Sequence, residues 1–225
     1  MKKHIVVLTG AGMSAESGVK TFRDAGGLWE GHDVMEVASS QGYKANPELV
    51  LDFYNQRRRQ LFEVEPNSAH IDLAKLEVNY NVTIVTQNVD DLHERAGSSN
   101  ILHLHGELLK VRSTYDENDI LEWKKDLVLG DLCNKGYQLR PHIVWFGEDL
   151  PLISKAMEIC ETADILLIIG TSMQVYPAAG LMYYVNEETP IYYIDPNPAL
   201  SNKSNVTVIS KPATIGMKEM INLLD

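Results

Sequence analysis

Cysteine is scarce in this chain: two residues in 225, Cys133 and Cys160, far apart and in no Cys-x-x-Cys pair. That excludes a disulfide scaffold and fits a reducing compartment. No apolar run approaches the roughly 20 residues that cross a bilayer. The start, Met1-Lys2-Lys3-His4 with a short apolar stretch ending at Gly10, lacks the longer apolar region and cleavage site of a signal peptide. A soluble cytoplasmic protein with no membrane partner is expected. Positive charge is also short. Twenty Lys and Arg against 31 Asp and Glu give a net charge of −11, which argues against nucleic acid, serves solubility and is compatible with basic protein or peptide partners. Internal repeats and low-complexity segments are absent.

What is present is ordinary globular material, 44% apolar and 23% charged, enough for one good core with a smaller insert. Short β-rich apolar segments recur at 5–9, 82–86, 165–169, 191–194 and 206–209. Helical patterns fall at 47–64, 68–78, 90–96, 151–163, 178–186 and 213–224. This alternation predicts an α/β fold with a doubly wound parallel, Rossmann-like sheet. Cys160 shares a helical face with Ile153, Ala156 and Met157 and reads as core filling. Two stretches break the alternation: 31–79, helical without a strand, and 111–141, polar and poorly periodic. The expected division is a discontinuous dinucleotide-binding domain (1–30, 80–110 and 142–225) and a small domain made of the two inserts, with a cleft between them.

The segment Gly10-Ala11-Gly12-Met13-Ser14-Ala15-Glu16-Ser17-Gly18 follows the first strand and fits a permissive dinucleotide fingerprint, in which backbone N–H groups at a helix start meet a pyrophosphate. The acidic residue about 20 positions later, usual in hydride-transfer domains, is missing. A tight turn is the plainer reading. Phe22-Arg23-Asp24-Ala25-Gly26-Gly27-Leu28-Trp29 is too glycine-rich and aromatic to continue a helix and reads as a flap.

Gln87-Asn88-Val89-Asp90 follows the strand at 82–86 and offers donors and acceptors suited to ribose hydroxyls and a carboxamide, or forms a polar turn with Asp90 as helix cap. His103-Leu104-His105-Gly106 places two histidines on one face of an extended segment. His105 is a candidate base near neutral pH, a structural histidine, or half of a metal pair lacking a nearby third ligand. Gly170-Thr171-Ser172 and Asp195-Pro196-Asn197 end two further strands.

In this order, with Val144-Trp145-Phe146-Gly147-Glu148, these motifs resemble those of the sirtuins, NAD-dependent protein lysine deacylases, over nearly the whole chain. The resemblance implies that NAD is consumed rather than reduced. The acyl-lysine oxygen attacks the ribose carbon bearing nicotinamide, His105 activates a ribose hydroxyl as general base, and the products are lysine, nicotinamide and O-acyl-ADP-ribose. It further implies that Asn88 and Asp90 line the nicotinamide pocket, with Asn88 counted beside His105 as catalytic, and that Gln87 meets the ribose. Phe22 would shield the reacting carbon and Arg23 would order flap and phosphates. Gly10, Ala11, Gly12, Gly170, Thr171 and Ser172 would hold phosphates and adenosine with Ser14, Glu16, Trp29, Asp195, Asn197 and Ala213 in the same cofactor set. The acyl-lysine backbone would pair by strand addition between 144–148 (Val144, Phe146, Gly147, Glu148) and 173–176 (Met173, Val175, Tyr176).

Most sirtuins carry a structural zinc on four cysteines between the His-Gly and Trp-Phe-Gly motifs. This chain has Cys133 alone there, with Asp116 and His142 as poor substitutes. No zinc is expected, and the insert is expected to be held by Leu121, Trp123, Leu127, Leu129 and Leu132. Tyr54 and Arg57, three apart on one helix, match the Tyr-x-x-Arg pair by which some sirtuins read the carboxylate of succinyl, malonyl or glutaryl groups. The alternative is a basic face, Arg57-Arg58-Arg59, beside a core tyrosine. The expected function is an NAD-dependent lysine deacylase, monomeric, taking succinyl-type as well as acetyl groups. A plain deacetylase, a mono-ADP-ribosyltransferase and an idle NAD-sensing module are the alternatives.

Overall fold

The structure, a computed structural model, describes residues 2–20, 28–29 and 31–224. In chain order the elements are β1 (His4–Thr9), α1 (Gly12–Ala15), β2 (Leu28–Trp29), β3 (His32–Asp33), α2 (Val34–Val37), α3 (Ser40–Ala45), α4 (Pro47–Leu61), α5 (Ser68–Leu76) and β4 (Asn81–Thr86). There follow α6 (Leu92–Arg95), β5 (Ile101–His103), β6 (Gly106–Ser113), β7 (Ile120–Glu122), β8 (Leu139–Ile143), α7 (Ile153–Glu161), β9 (Ile165–Ile169), a 3₁₀ helix (Ala178–Tyr183), β10 (Ile191–Ile194), β11 (Val206–Ile209) and α8 (Ala213–Ile221).

Six strands form one parallel sheet in the order β11-β10-β9-β1-β4-β5. Counted along the chain within the sheet this is 3-2-1-4-5-6, the doubly wound Rossmann order, and its switch point falls between β1 and β9. Alternate residues feed two cores. Ile5, Val7, Ile84, Leu167 and Ile169 pack with Leu73, Met217 and Met220 of α5 and α8. Val6, Leu8, Val85, Leu166 and Ile168 pack with Ala156, Cys160 and Leu181 on the other face. Burial on both faces is why the strands read as continuous apolar runs.

Differences from expectation lie in the inserts and at helix ends. The 31–79 stretch is not strand-free, because β3 pairs with β2 in a short hairpin. The 111–141 stretch is mostly turn and irregular chain, but it holds all of β7 and parts of β6 and β8, which form an antiparallel sheet in the order β7-β6-β8. Its strands escape sequence reading because every residue of β7 is exposed and because Pro141, a residue that signals against a strand, sits in the middle of β8, whose burial alternates. The expected boundaries at 110 and 142 fall inside β6 and β8. The helix at 178–186 is a shorter 3₁₀ helix, and that at 90–96 shrinks to one turn. Asn46 caps α4 through Leu49 N, with Pro47 in its first turn, and the helix stops at Leu61.

The insert sheet packs on α4 through Leu51, Val111, Leu127, Cys133 and Leu139, flanked by Trp123 and Tyr43. Asn55 of α4 both accepts from Leu127 N (2.8 Å) and donates to Leu127 O (2.9 Å), joining the two inserts. Of the leucines expected to hold the insert, Leu127 does so. Leu121, Leu129 and Leu132 are 36, 46 and 52% exposed, because they lie on an edge strand and turns. Asp116 pairs with Lys135, and the Cys133 thiol accepts from the Ser113 hydroxyl.

Candidate functional site

The turns after β1 and β9 meet at the switch point, and only glycine allows the approach. A Cβ on Gly10 would lie 2.8 Å from Gly170 O, one on Gly12 2.7 Å from Gly170 Cα, and one on Gly170 (φ +62) 2.2 Å from Met13 N. Gly12 N donates to Gly170 O (2.8 Å), and α1 starts from this junction with Met13 buried beneath it. Beside it, the last residues of β1 and β4 are both buried threonines. Thr9 Oγ1 donates to Thr86 Oγ1 (2.8 Å), which also accepts from Asn88 N (3.0 Å) and so fixes the turn after β4.

That turn carries a buried polar set. Asn88 Nδ2 donates to Ser14 Oγ (3.2 Å), and Ser14 Oγ donates to Asp90 Oδ2 (3.0 Å). Asp90 Oδ1 accepts from Leu92 N (3.2 Å), so the carboxylate also serves the start of α6. Burial pushes the Asp90 carboxyl up to about 6, outweighing the hydrogen bonds from Ser14 and Leu92. Gln87 Nε2 donates to Thr171 Oγ1 (3.2 Å), linking the turns after β4 and β9.

His105 stands against this turn with Nδ1 2.9 Å from Gln87 O. A carbonyl only accepts, so Nδ1 carries the proton and Nε2 is left as the unprotonated base. Burial lowers the imidazole's pKa, and the Gln87 carbonyl offsets only part of that. His105 O accepts from Val144 N (2.9 Å), joining the histidine to the segment after β8. His103 leans on the same turn through Nδ1 to Asn88 O (3.1 Å), while its Nε2 meets Glu94 Oε1 at 2.7 Å. Burial opposes charge there, but with acceptors at both nitrogens the pKa is raised. Among the described residues, Glu94, His103 and Glu107 form the set close enough to share an ion, and it does not include His105, Cys133, Asp116 or His142.

On the small-domain side, the three arginines of α4 do not share a face. Arg58 is buried, bonded to Leu108 O and Asn55 Oδ1, while Arg59 reaches Asp126 in solvent. Arg57 is half-buried with its guanidinium 4.6 Å from the centroid of the Phe53 ring. Tyr54 is fully buried, 5.3 Å from Phe53, and its hydroxyl accepts from Trp145 Nε1 (2.9 Å). Trp29 packs edge-on against both Phe53 and Tyr54.

Several expected contact residues are already engaged. The Glu148 carboxylate receives Arg140 twice (2.6 and 3.1 Å), Arg112 (3.1 Å), Ser40 (2.7 Å) and Trp145 N (2.9 Å). Burial opposes its charge, but these donors hold the carboxyl down at about 2. Glu16 takes Thr214 N and Oγ1, tying the end of α1 to α8 beside Ala213. Asp195 Oδ1 accepts from Asn197 N. Neither segment expected to flank the peptide is a strand. Phe146 N is spent on Ala38 O, Gly147 is at φ +85 and Glu148 N closes a turn on Trp145 O. Met173 has φ 55, and Val175 and Tyr176 are exposed in a bend before the 3₁₀ helix. Phe22 and Arg23 lie outside the described residues. Sequence reasoning passed over the Thr9–Thr86 pair, Trp145 as a donor, and the Arg112 and Arg140 clamp. The threonines ending two strands were the one signal available.

Comparison with known proteins bears on this geometry. A profile of the Sir2 family matches residues 10–177. A protein of Helicobacter pylori named NAD-dependent protein deacylase is 61% identical over 220 residues, covering 97% of this chain and 94% of its own. One of Bacteroides thetaiotaomicron with the same name is 55% identical over 229 residues, covering 99 and 98%. Among solved structures, a Sir2 homologue in complex with NAD superposes with a TM-score of 0.87 at 40% identity, covering 99% of this chain and 90% of that one. A mutant Sir2 homologue with ADP-ribose gives 0.89 at 40% identity, covering 98 and 91%.

Proposed function

This chain belongs to the Sir2 family, and from that premise we propose that it is an NAD-dependent protein lysine deacylase taking succinyl- or malonyl-type groups as well as acetyl. The observation that carries the chemistry is His105, half-buried, with its Nδ1 proton donated to Gln87 O and, among the described residues, an Nε2 with no partner. The glycine-only junction of the β1 and β9 turns and the adjoining Asn88–Ser14–Asp90 set fit a dinucleotide, because they offer close backbone approach beside buried neutral donors and one acceptor. NAD, when bound, would supply the ribose that accepts the acyl group and the nicotinamide that leaves, and one water consumed in the reaction would complete the release of lysine and O-acyl-ADP-ribose.

Within this reading, Gly10, Ala11, Gly12, Gly170, Thr171 and Ser172 hold the phosphate and adenosine side, with Asn197 and Ala213 near the adenine. Asn88 and Asp90 orient the carboxamide, and Gln87 meets the ribose. His105 Nε2 takes the proton of a ribose hydroxyl, and the Gln87 carbonyl stabilises the imidazolium that results. The acyl-lysine lies between 144–148 and 173–176, and its acyl end points to Tyr54 and Arg57. A carboxylate there accepts from the Arg57 guanidinium and the Tyr54 hydroxyl. Deacylase relatives at 61 and 55% identity support the class of reaction, and the Tyr-x-x-Arg spacing on α4 supports the acyl preference.

The test is mass spectrometry of peptides carrying acetyl-, malonyl-, succinyl- or glutaryl-lysine, each incubated with NAD, with His105→Ala as control. NAD-dependent O-acyl-ADP-ribose, largest for the carboxyl-bearing peptides and lost in the control, is expected. An ADP-ribosylated acceptor in place of acyl-ADP-ribose would favour mono-ADP-ribosyl transfer and overturn the proposal.

A further inference from the structure

Tyr54 has one hydrogen to give, and for a carboxylate ligand what matters is whether the fold leaves that hydrogen unspent. The indole N–H of Trp145 is 2.9 Å from the Tyr54 oxygen. Indole nitrogen only donates, so this bond has one polarity: Trp145 gives, Tyr54 receives, and the phenolic hydrogen must point elsewhere. A hydroxyl or imidazole in the same place could have accepted that hydrogen. The phenol also stays protonated, because burial lifts its pKa well above the ordinary phenol range.

The indole is itself fixed. Arg140 Cζ lies 3.4 Å from the Trp145 ring centroid, the Tyr43 ring packs at 5.2 Å, and Trp145 N donates to Glu148 Oε2 at 2.9 Å. The same Glu148 is gripped by Arg140 and Arg112, and Arg140 also donates to Ile143 O at the end of β8. The clamp thus holds the tryptophan by backbone and ring together.

We propose that Trp145 is a specificity-determining positioning residue for the acyl carboxylate: its clamped indole N–H obliges Tyr54 to be a donor. The inference rests on the reading of Tyr54 and Arg57 given above. A donated hydrogen bond strengthens the acceptor's own O–H as a donor, so Trp145 acts on the acyl group through Tyr54. An acetyl group has no carboxylate to receive that hydrogen, and the effect shows as discrimination between acyl groups.

A double-mutant cycle tests this through the ratio of kcat/KM for succinyl-lysine to that for acetyl-lysine peptide, measured in the parent, Trp145→Phe, Tyr54→Phe and the double variant. The ratio should fall about fivefold to tenfold in Trp145→Phe, chiefly through KM for the succinyl peptide, and no further when the change is added to Tyr54→Phe. An equal fall in both backgrounds, or none in the parent, overturns the proposal while leaving Tyr54 as carboxylate reader. A ratio unmoved by Tyr54→Phe overturns the carboxylate reading itself. Should Trp145→Phe fail to fold by circular dichroism, the same cycle is run with Arg140→Lys, which loses the planar stack on the indole. A fall of about twofold to threefold confined to the Tyr54 background is expected there, and an equal fall in both backgrounds overturns the proposal.

Discussion

Two carboxylates of the candidate site, Asp90 and Glu148, have surroundings that push them in opposite directions. On the sheet side Asp90 is buried among a serine, an asparagine and a backbone N–H, and its pKa rises to about 6. On the small-domain side Glu148 is also withdrawn from water but faces two arginines, and its pKa falls to about 2. The contrast separates two uses of charge. Glu148 is a fixed anion whose partners stabilise the fold around Trp145. Asp90 is held in a site that disfavours its charge, as expected of a group kept for binding rather than for stability.

The largest predicted effect falls on the sheet side, where His105→Ala lowers turnover by on the order of 10³-fold, read as formation of O-acyl-ADP-ribose. The base must be neutral, and burial lowers its pKa, so the acid limb of kcat/KM for the parent lies below the ordinary imidazole value of 6.5. A limb above that value would contradict the assignment of His105 as base.

The two carboxylates come next, with opposite signs. Glu148→Gln strips Arg112 and Arg140 of their partner and destabilises by about 3 kcal/mol in thermal unfolding at pH 7. The lowered pKa means this stabilisation is fully present above about pH 4.5 and is lost as pH falls toward 2. Asp90→Asn removes a disfavoured charge and stabilises by about 1–3 kcal/mol above pH 6, while weakening NAD binding in calorimetry. Because the Asp90 pKa is raised, that advantage shrinks as pH falls through 6 and vanishes below about 3.8. Destabilisation by both substitutions would erase the distinction between the two sides.

The smallest effect concerns the insert sheet. It is packed through Leu127, Leu139, Val111 and Leu51 and tied by Asn55, so a chelator should leave the melting temperature unchanged. One equivalent of zinc in chelator-free protein would overturn the expectation of a metal-free insert.

The same contrast governs what was legible in the sequence. β1, β4 and β9 are buried on both faces, so they read as apolar runs ending in glycine or polar turns, and the Gln87–Asp90 and Gly170–Ser172 groups sit on those turns, while His105 sits on the turn after β5. A group on a strand end is placed by the strand. The small domain offers no such rule: β7 shows no burial pattern at all, and Trp145 meets Tyr54 across 91 residues of chain. Arg58 read as part of a basic face and is buried, because a backbone carbonyl and an asparagine side chain take its donors. Long-range pairing of this kind leaves no mark in local spacing.

The central claim, that α4 reads an acyl carboxylate beside a sheet-borne deacylase site, is tested most directly by Arg57→Met assayed on succinyl- and acetyl-lysine peptides with NAD. Losing one charged hydrogen bond should cost on the order of 2–3 kcal/mol, a fall of ~30–150-fold in the succinyl-to-acetyl ratio of kcat/KM with deacetylation largely retained. Equal losses on both substrates would contradict it.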